Sequence, residues 1–287
     1  MPMTDATAIF EAERRRLAAI GYRMLGSVSE AEDAVQDCWL RWQGAACLGI
    51  RSPAAWLTTA MTRLCIDRLR AAKTVRETYV GPWLPEPVVV TEDPPSDRAE
   101  LAEGLTMALL IVMETLSPAE RAAYILREAF DYEYDEIAGV LDVSAVNARK
   151  LVSRARARVD NGAPRERPAP DLAVRLASAF NKAAAEGDMG PLEALLHEDA
   201  MLRSDGGGKV LAALNPIYGR DKVIRFLLGL ERKAAGALSL EIATVNGGPG
   251  YRLMLGRQIY AIVALTVRDG LVTNLDMVLN PEKLSGS

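Results

Sequence analysis

Apolar residues recur at helical spacing through the first 73 residues of the chain. The run from Phe10 to Leu25 places them on one face of a predicted first helix. The capping-box pattern Ser29-x-x-Glu32 predicts the start of a second helix. Ser52-Pro53 predicts the start of a third, because proline is tolerated in the first helical turn. The N-terminal region is therefore predicted to be all α.

A second helical region contains a short turn between two helices. Ser117-Pro118-Ala119-Glu120 combines an N-cap residue, a first-turn proline and a third-position glutamate, which together predict a helix start. Downstream, Tyr134–Leu141 and Ala145–Arg158 are predicted as helices, with a turn at residues 142–144. Asp142 lies where such turns often have glycine, and aspartate tolerates positive φ better than most residues. This arrangement predicts a helix-turn-helix.

The second helix of this pair has an apolar stripe and a polar face. The stripe comprises Ala148, Leu151, Val152, Ala155 and Val159. The opposite face carries donors able to reach base edges and phosphates in a major groove, namely Asn147, Arg149, Lys150, Ser153 and Arg154. A basic amphipathic helix is often only a solvated face, so an ordinary helical hairpin remains an alternative to DNA binding.

Two proline-rich segments divide the chain. Five prolines between residues 76 and 97 prevent a continuous helix and predict an extended linker, which Glu86, Glu92, Asp93 and Asp97 make acidic. A second break, at residues 161–170, separates the C-terminal part. The linker also contains Trp83-Leu84, an apolar pair that is unusual in an inert spacer.

The C-terminal part is predicted to be α+β. Helices are predicted from Leu172 to near Gly187, at Met189–Leu196 and at Arg220–Lys233. The predicted strands follow at 238–245, 251–255, 258–267 and 271–278, and Asp269-Gly270 predicts a hairpin between the last two. Helices followed by a curved antiparallel sheet predict a cone-shaped domain with a pocket.

Composition restricts the function classes. The 287 residues are 49% hydrophobic and 25% charged, the longest apolar run is far too short for a membrane span, and the N-terminus has no secretory pattern. Three cysteines without a Cys-x-x-Cys pair indicate a reducing compartment, so we expect a cytoplasmic protein without a membrane partner. Because His197 is the only histidine, we expect neither a metal nor a cofactor. The remaining acid/base candidates, Asp199, Asp205 and Asp276, are too few to predict an enzyme.

Charge is sorted along the chain although the net charge is only −4. Residues 27–37 contain four acidic residues and no basic one, whereas residues 63–76 contain five basic residues and one acidic one. A second basic block occupies residues 144–167, and residues 171–287 carry 13 basic and 13 acidic residues. Because screening confines each field to about 8–10 Å, these blocks matter more than the sum.

The order of these patterns resembles one bacterial family. Residues 31–37 (AEDAVQD), 56–59 (WLTT) and 67–70 (DRLR) resemble region 2 of extracytoplasmic-function (ECF) sigma factors, and residues 117–158 resemble their region 4. Residues 83–87 (WLPEP), 205–209 (DGGGK) and 280–284 (NPEKL) resemble motifs of the subgroup with a SnoaL-like extension. The implied fold is two all-α sigma domains, the second with the helix-turn-helix, plus an α+β cone of the SnoaL-like, nuclear-transport-factor-like type. The predicted boundaries are 1–75, 76–99 (linker), 100–163 and 171–287.

The resemblance implies a role for each charged block. The residues implied to dock on core RNA polymerase are Glu32, Asp33, Gln36 and Asp37. Those implied to take the −10 promoter element, beside the loop at 48–52, are Arg63, Asp67 and Arg68. The −35 element would be read by Arg149, Lys150, Ser153 and Arg154, with Asn147 added from its position on the same face. The acidic linker would thread towards the polymerase active-site channel.

The resemblance also implies an interdomain regulatory set that links the linker, one loop and the chain end. Its members are Trp83, Leu84, Pro85, Asp205, Gly206, Lys209, Asn280, Pro281 and Leu284. The predicted function is a sigma factor whose C-terminal domain modulates its activity. The expected partners are core RNA polymerase and promoter DNA, and a small ligand in the C-terminal pocket is left open. The alternatives are a one-component DNA-binding regulator with a ligand-sensing cone and a cone-domain enzyme fused to a DNA-binding module.

Overall fold

The computed structural model describes residues 3–45, 50–90, 101, 104–162, 166, 169 and 171–284. The chain forms two compact units, which we call the helical unit (residues 1–77 and 109–163) and the sheet unit (residues 78–108 and 164–287). The described linker residues 78–90 fall in the sheet unit, and the four predicted segments stay a prediction.

Three helices form the first half of the helical unit: α1 (Met3–Leu25), α2 (Val28–Ala45) and α3 (Pro53–Glu77). Their core includes Leu17 and Trp42, and the Trp42 indole donates a hydrogen bond to the Ala6 carbonyl at 2.8 Å. The predicted start of α2 at Ser29 is wrong. The helix begins at Val28, because the Ser27 hydroxyl accepts the backbone N–H of Glu30 at 3.3 Å.

The helix-turn-helix forms as predicted. After α4 (Met107–Met113) come α5 (Pro118–Phe130), α6 (Tyr134–Leu141) and α7 (Ala145–Gly162). The capping box of Ser117 and Glu120 is present at the start of α5. Asp142 ends α6 with φ of 56°, the left-handed conformation expected there.

A buried arginine joins the two halves of the helical unit. Arg121 of α5 is 2% exposed and donates hydrogen bonds to the carbonyls of Met24, at 2.5 Å, and Met113, at 2.9 Å. It also forms an ion pair with Glu114, whose carboxylate forms a second ion pair with Arg76. Burial lowers the pKa of Arg121, so the Glu114 carboxylate is needed to balance a charge held away from water.

In the described residues, the sheet unit contains a seven-stranded sheet with the strands, numbered in chain order, arranged as β1-β4-β5-β6-β7-β2-β3. The strands, listed in chain order, are Val89–Val90, Leu196–Asp205, Ile217–Tyr218, Leu238–Val245, Gly248–Leu255, Gln258–Arg268 and Leu271–Val278. All pairs are antiparallel except β2 with β7. Asp269 and Gly270 form the predicted β6–β7 turn, with φ of 53° and 76°.

From residue 171 to residue 284, four helices accompany the sheet: α8 (Leu172–Glu186), α9 (Gly190–Glu193), α10 (Arg220–Lys233) and α11 (Pro281–Leu284). Helices α8 and α10 pack through Leu176, Val223 and Ile224 into a core shared with Leu253 and Leu275 of the sheet. This is the predicted α+β architecture of helices on a curved sheet. The predicted helix at Met189–Leu196 is too long. The helix ends at Glu193, and strand β2, which was not predicted, begins at Leu196.

Part of the linker packs into the sheet unit, and its residues Val89 and Val90 form strand β1. Residues 84–88 are buried, and Val88 exchanges two hydrogen bonds with Asn246, at 2.8 and 3.1 Å. Strand β1 then pairs with β4 through Val89 opposite Val245. Glu86 is 5% exposed, whereas Glu92, Asp93 and Asp97 lie outside the described residues. None of the helices described here is long and apolar enough to cross a membrane.

Candidate nucleic-acid interface and the Asp205 cluster

The outward face of α7 presents all five residues that were predicted to read the −35 element. The helix begins after Ser144, whose hydroxyl accepts the backbone N–H of Asn147 at 3.2 Å. Ala148 and Val152 anchor the inner side at 0% and 1% exposure. The exposed residues opposite them are Asn147, Arg149, Lys150, Ser153 and Arg154.

Two other arginines of α7 are bound to α5 instead. Arg156 pairs with Glu128, and Arg158 pairs with Glu120 at 3.1 Å. Burial raises the pKa of Glu120, but hydrogen bonds from Ser117 and the charge of Arg158 outweigh it and lower the pKa. These two arginines therefore attach the helix to its neighbour. Of the outward basic residues, Lys150 and Arg154 are exposed, and Arg149 is exposed with its guanidinium 5.3 Å from the centroid of the Tyr134 ring of α6.

The predicted −10 residues of α3 are engaged within the helical unit. Arg63 donates from Nε to the Val140 carbonyl of α6 at 3.1 Å. Arg68 forms an ion pair with Asp37 of α2 at 2.7 Å and also donates to the Glu30 carbonyl at 3.3 Å. Asp67 is exposed, at 3.6 Å from Arg70 in the same helix.

The predicted polymerase-docking residues lie on one side of α2. Glu32, Asp33 and Gln36 are exposed, and the Asp37 side chain is 47% exposed beside Arg68. Leu40 was missed by the sequence analysis and is 64% exposed on the same side, four residues after Gln36. Its spacing of seven residues from Asp33 and four from Gln36 was a signal that could have placed it on this side of the helix. Residues 48 and 49 of the predicted −10 loop lie outside the described part of the chain.

In the sheet unit, Asp205 is completely buried at the end of β2. Its Oδ1 accepts hydrogen bonds from the Tyr79 hydroxyl at 2.7 Å and the Gly207 N–H at 3.1 Å. Its Oδ2 accepts from the Leu84 N–H at 2.8 Å and the Lys283 ammonium at 2.7 Å. One carboxylate thus joins the linker, the loop after β2 and the chain end, and we call this group the Asp205 cluster.

Lys283 completes the cluster from α11. Its ammonium also donates to the Leu84 carbonyl and lies 4.2 Å from the centroid of the Trp83 ring, which is cation–π geometry. Its side chain is 12% exposed, so this charge is compensated by Asp205 and by the Trp83 ring. Burial and the hydrogen bond to Asp205 raise the pKa of Tyr79, which remains protonated as a donor.

Asn280 and Lys209 connect the loop after β2 to the chain end. Asn280 donates from Nδ2 to the Tyr79 hydroxyl at 3.1 Å, and its oxygen accepts the backbone N–H of Glu282 at the same distance. Gly207 has φ of 62°, and a Cβ there would overlap the Asn280 side chain. Lys209 forms an ion pair with Glu282.

The remaining members of the predicted regulatory set lie in the same segments. Pro85 is buried in the linker, and a Cβ on Gly206 would lie 2.6 Å from the Val210 carbonyl. Pro281 begins α11, and Leu284 ends it half-buried. The structure therefore brings the three predicted motifs together, while their regulatory role stays a prediction.

The acid/base candidates have different partners, and Asp205 is the one that lies in the Asp205 cluster. Asp276 is buried and paired with Arg203 at 2.6 Å, and burial raises its pKa. His197 accepts the backbone N–H of Asp199 at 3.1 Å. Within the described ranges, no group of three or more His, Cys, Asp or Glu side chains could hold a metal ion.

Comparisons with known proteins decide the family. The descriptions "Sigma-70 region 2" and "Sigma-70, region 4" match residues 9–75 and 106–159. ECF RNA polymerase sigma factor SigJ of Mycobacterium tuberculosis is 40% identical over 97% of this chain and 93% of SigJ. The chain belongs to the ECF sigma factor family. The crystal structure of SigJ matches with a TM-score of 0.78 at 37% identity, covering 98% of this chain and 99% of that one.

A second relative also spans the whole length of this sigma factor. The probable ECF RNA polymerase sigma factor SigI of Mycobacterium tuberculosis is 28% identical over 97% of this chain and 94% of SigI. The predicted function, an RNA polymerase sigma factor, is confirmed and favoured over a one-component regulator. The predicted fold class is confirmed as well, with helical sigma regions followed by an α+β domain.

Proposed function

We propose that this sigma factor reads the −35 element with the outward face of α7 and docks on core RNA polymerase through α2. The observation that carries the first part is the separation of roles on α7, where Arg149, Lys150 and Arg154 are exposed while Arg156 and Arg158 pair with α5. Arginine and lysine pair with guanine edges and phosphates in the major groove. This face therefore has the chemistry that reads a duplex element.

The acidic side of α2 supports the docking proposal. Glu32, Asp33 and Gln36 are exposed on consecutive turns, so they would meet a basic surface of polymerase without rearrangement. Leu40 adds an apolar side chain at the end of this row. Charged residues at the rim steer association, and an apolar anchor adds affinity once water is excluded.

The predicted −10 residues Arg63 and Arg68 must lose their present contacts before they can bind DNA. Arg63 is bonded to the helix-turn-helix and Arg68 to Asp37, so both are occupied in this arrangement. The two promoter elements are named for positions 25 nucleotides apart, which is about 85 Å of B-DNA at about 3.4 Å per base pair. We infer that the halves of the helical unit separate on polymerase, and that docking through Asp37 frees Arg68 for DNA.

The Asp205 cluster supports a regulatory role for the sheet unit. It holds Leu84 and the following linker residues against the sheet, where they cannot thread towards a polymerase channel. We infer that this contact restrains initiation and that its release raises activity. A matched pair tests this inference: Lys283→Met loosens the linker, and Lys182→Met breaks an exposed ion pair with Asp188 that lies outside the Asp205 cluster. Run-off transcription should rise for the first variant and stay near wild type for the second.

Docking is tested by the affinity of full-length protein for core polymerase. Asp33→Arg reverses a charge on the proposed surface, and Asp135→Arg reverses one in the first turn of α6 as the matched control. We expect Asp33→Arg to lower the affinity at least tenfold and Asp135→Arg to leave it within twofold. Equal effects of the two variants would contradict docking through α2.

We also propose that the chain acts in the cytoplasm, where core polymerase works, and that it is not an enzyme. Cys38 and Cys65 are buried free thiols, and burial raises their pKa to about 11 and about 12, which suits a reducing compartment. His197 accepts the Asp199 backbone N–H and Asp276 pairs with Arg203, and these partners support a domain without acid/base chemistry. Hydrolase or isomerase activity of the purified chain would contradict this proposal.

A further inference from the structure

A cavity of about 620 Å³ opens between α8, α10 and one face of the sheet. Its walls are mainly leucine, with Leu176 of α8, Leu230 of α10 and Leu253 and Leu275 of the sheet. Protein interiors contain few voids larger than a water molecule, so a space of this size is not a packing defect. It falls in the range of pockets that bind drug-sized molecules.

The helix above the cavity is incompletely covered. Leu227 and Leu230 of α10 line the cavity and remain half-exposed, as does Phe180 of α8. An apolar molecule in the cavity would remove these side chains from water and complete the core of the sheet unit. Apolar cavities of this kind bind apolar ligands.

The polar groups of the cavity are sorted by depth. Tyr251 lies deep, but its hydroxyl donates to the Ala173 carbonyl at 2.6 Å. Asn181 and Ser239 are exposed at the mouth, where half-exposed Glu231 is the one ionisable side chain besides Tyr251 among the described lining residues. The interior thus suits an apolar body, and the mouth suits a hydrogen-bond donor and repels an anion.

We propose that this cavity binds a compact, uncharged lipophilic molecule that carries a hydrogen-bond donor at the end facing Glu231. Such a ligand would place its apolar body among the leucines and its donor against the carboxylate at the mouth. A carboxylate-ended molecule of the same length is disfavoured by like charge. The lining brings together no acid/base pair, so the site is a receptor for this ligand.

The test uses N-phenyl-1-naphthylamine, an uncharged fluorophore with one N–H donor, titrated into the full-length chain without polymerase or DNA. We expect saturable binding at one site, displaced by 1-decanol at a concentration at least tenfold lower than by decanoate. Glu231→Gln should reduce this difference to less than threefold. Because neither polymerase nor DNA is present, failure here leaves the proposed promoter and docking roles untouched.

Two substitutions on α8 locate the site. Ala177→Trp fills the cavity and should abolish probe binding. Val174 is 53% exposed and does not line the cavity, so Val174→Trp should bind the probe as wild type does. If Ala177→Trp loses its native melting transition, Leu240→Trp fills the cavity from β4 and replaces it. Absence of saturable binding, equal binding by both α8 variants, or an unchanged alcohol preference in Glu231→Gln overturns the proposal.

Discussion

The outward face of α7 and the Asp205 cluster are both built from charged residues, but they handle charge in opposite ways. Lys150 and Arg154 of α7 are exposed on the side of the helix opposite its buried apolar residues. Asp205 and Lys283 are withdrawn from water and satisfied by each other and by linker groups. A charge buried with partners fixes a structure, whereas a charge exposed on a rigid helix remains available to a partner molecule.

Breaking the Asp205 cluster should give the largest effect. Asp205→Ala removes the acceptor of Tyr79 and Leu84 and leaves the Lys283 ammonium without its carboxylate. We expect a loss of about 3–5 kcal/mol in the stability of the sheet unit, measured by hydrogen exchange of peptides from the sheet strands in increasing urea. Asp199→Ala, at an exposed position in the same strand, should change stability by less than about 0.5 kcal/mol.

Arg121 is a buried charge of the helical unit, and it can be compared with Asp205 of the sheet unit. Arg121→Met removes the hydrogen bonds to the carbonyls of Met24 and Met113, while Glu114 keeps its ion pair with Arg76. We expect a loss of about 2–3 kcal/mol, because two buried acceptors lose their donor. Thermal unfolding measures this loss, and a variant as stable as wild type would show that the arginine does not hold the two halves together.

Substitutions on the outward face of α7 should change DNA binding and leave the stability of the fold unchanged. Arg154→Ala should weaken binding to a −35 duplex by about 1–3 kcal/mol when the chain is bound to core polymerase. Arg156→Ala lies two residues away but pairs with Glu128, so its effect should be below about 0.5 kcal/mol. Fluorescence anisotropy with a labelled duplex compares the two variants, and equal losses would mean that only total charge matters.

The Arg68–Asp37 pair should give the smallest effect on folding. The side chains are 28% and 47% exposed, so solvent screens their attraction. A double-mutant cycle with Arg68→Ala and Asp37→Ala should yield a coupling of about 0.2–1 kcal/mol. A coupling above about 2 kcal/mol would mean that the pair is structural and does not open on polymerase.

Local patterns predicted the elements well, whereas long-range contacts were hidden. The limits of α10 and the turn at Asp269 and Gly270 follow from periodicity and turn chemistry, and both are correct. Strand β2 was missed because a helix was predicted as far as Leu196, where the strand begins, and because polar residues 197–199 interrupt the apolar alternation of the strand. The linker looked like a spacer, since burial of residues 84–88 depends on a sheet more than 100 positions away.

In the candidate site, too, features set by local spacing were predictable and features set by long-range contacts were not. Outward residues of α7 follow directly from the spacing of Ala148 and Val152, and exposure agrees with the prediction. The occupation of Arg63 by Val140 could not be predicted, because that contact joins residues 77 positions apart. Sequence therefore identified which residues carry charge, and only the structure distinguished engaged charges from exposed ones.

Run-off transcription with core polymerase tests the central claim, that the outward face of α7 reads the −35 element. Templates differing only in the −35 element would be transcribed with wild type, Arg154→Ala and Arg156→Ala. We expect Arg154→Ala to lose transcript at least tenfold and to discriminate less between −35 sequences, while Arg156→Ala behaves as wild type. Unchanged −35 discrimination by Arg154→Ala, or equal losses in both variants, would contradict it.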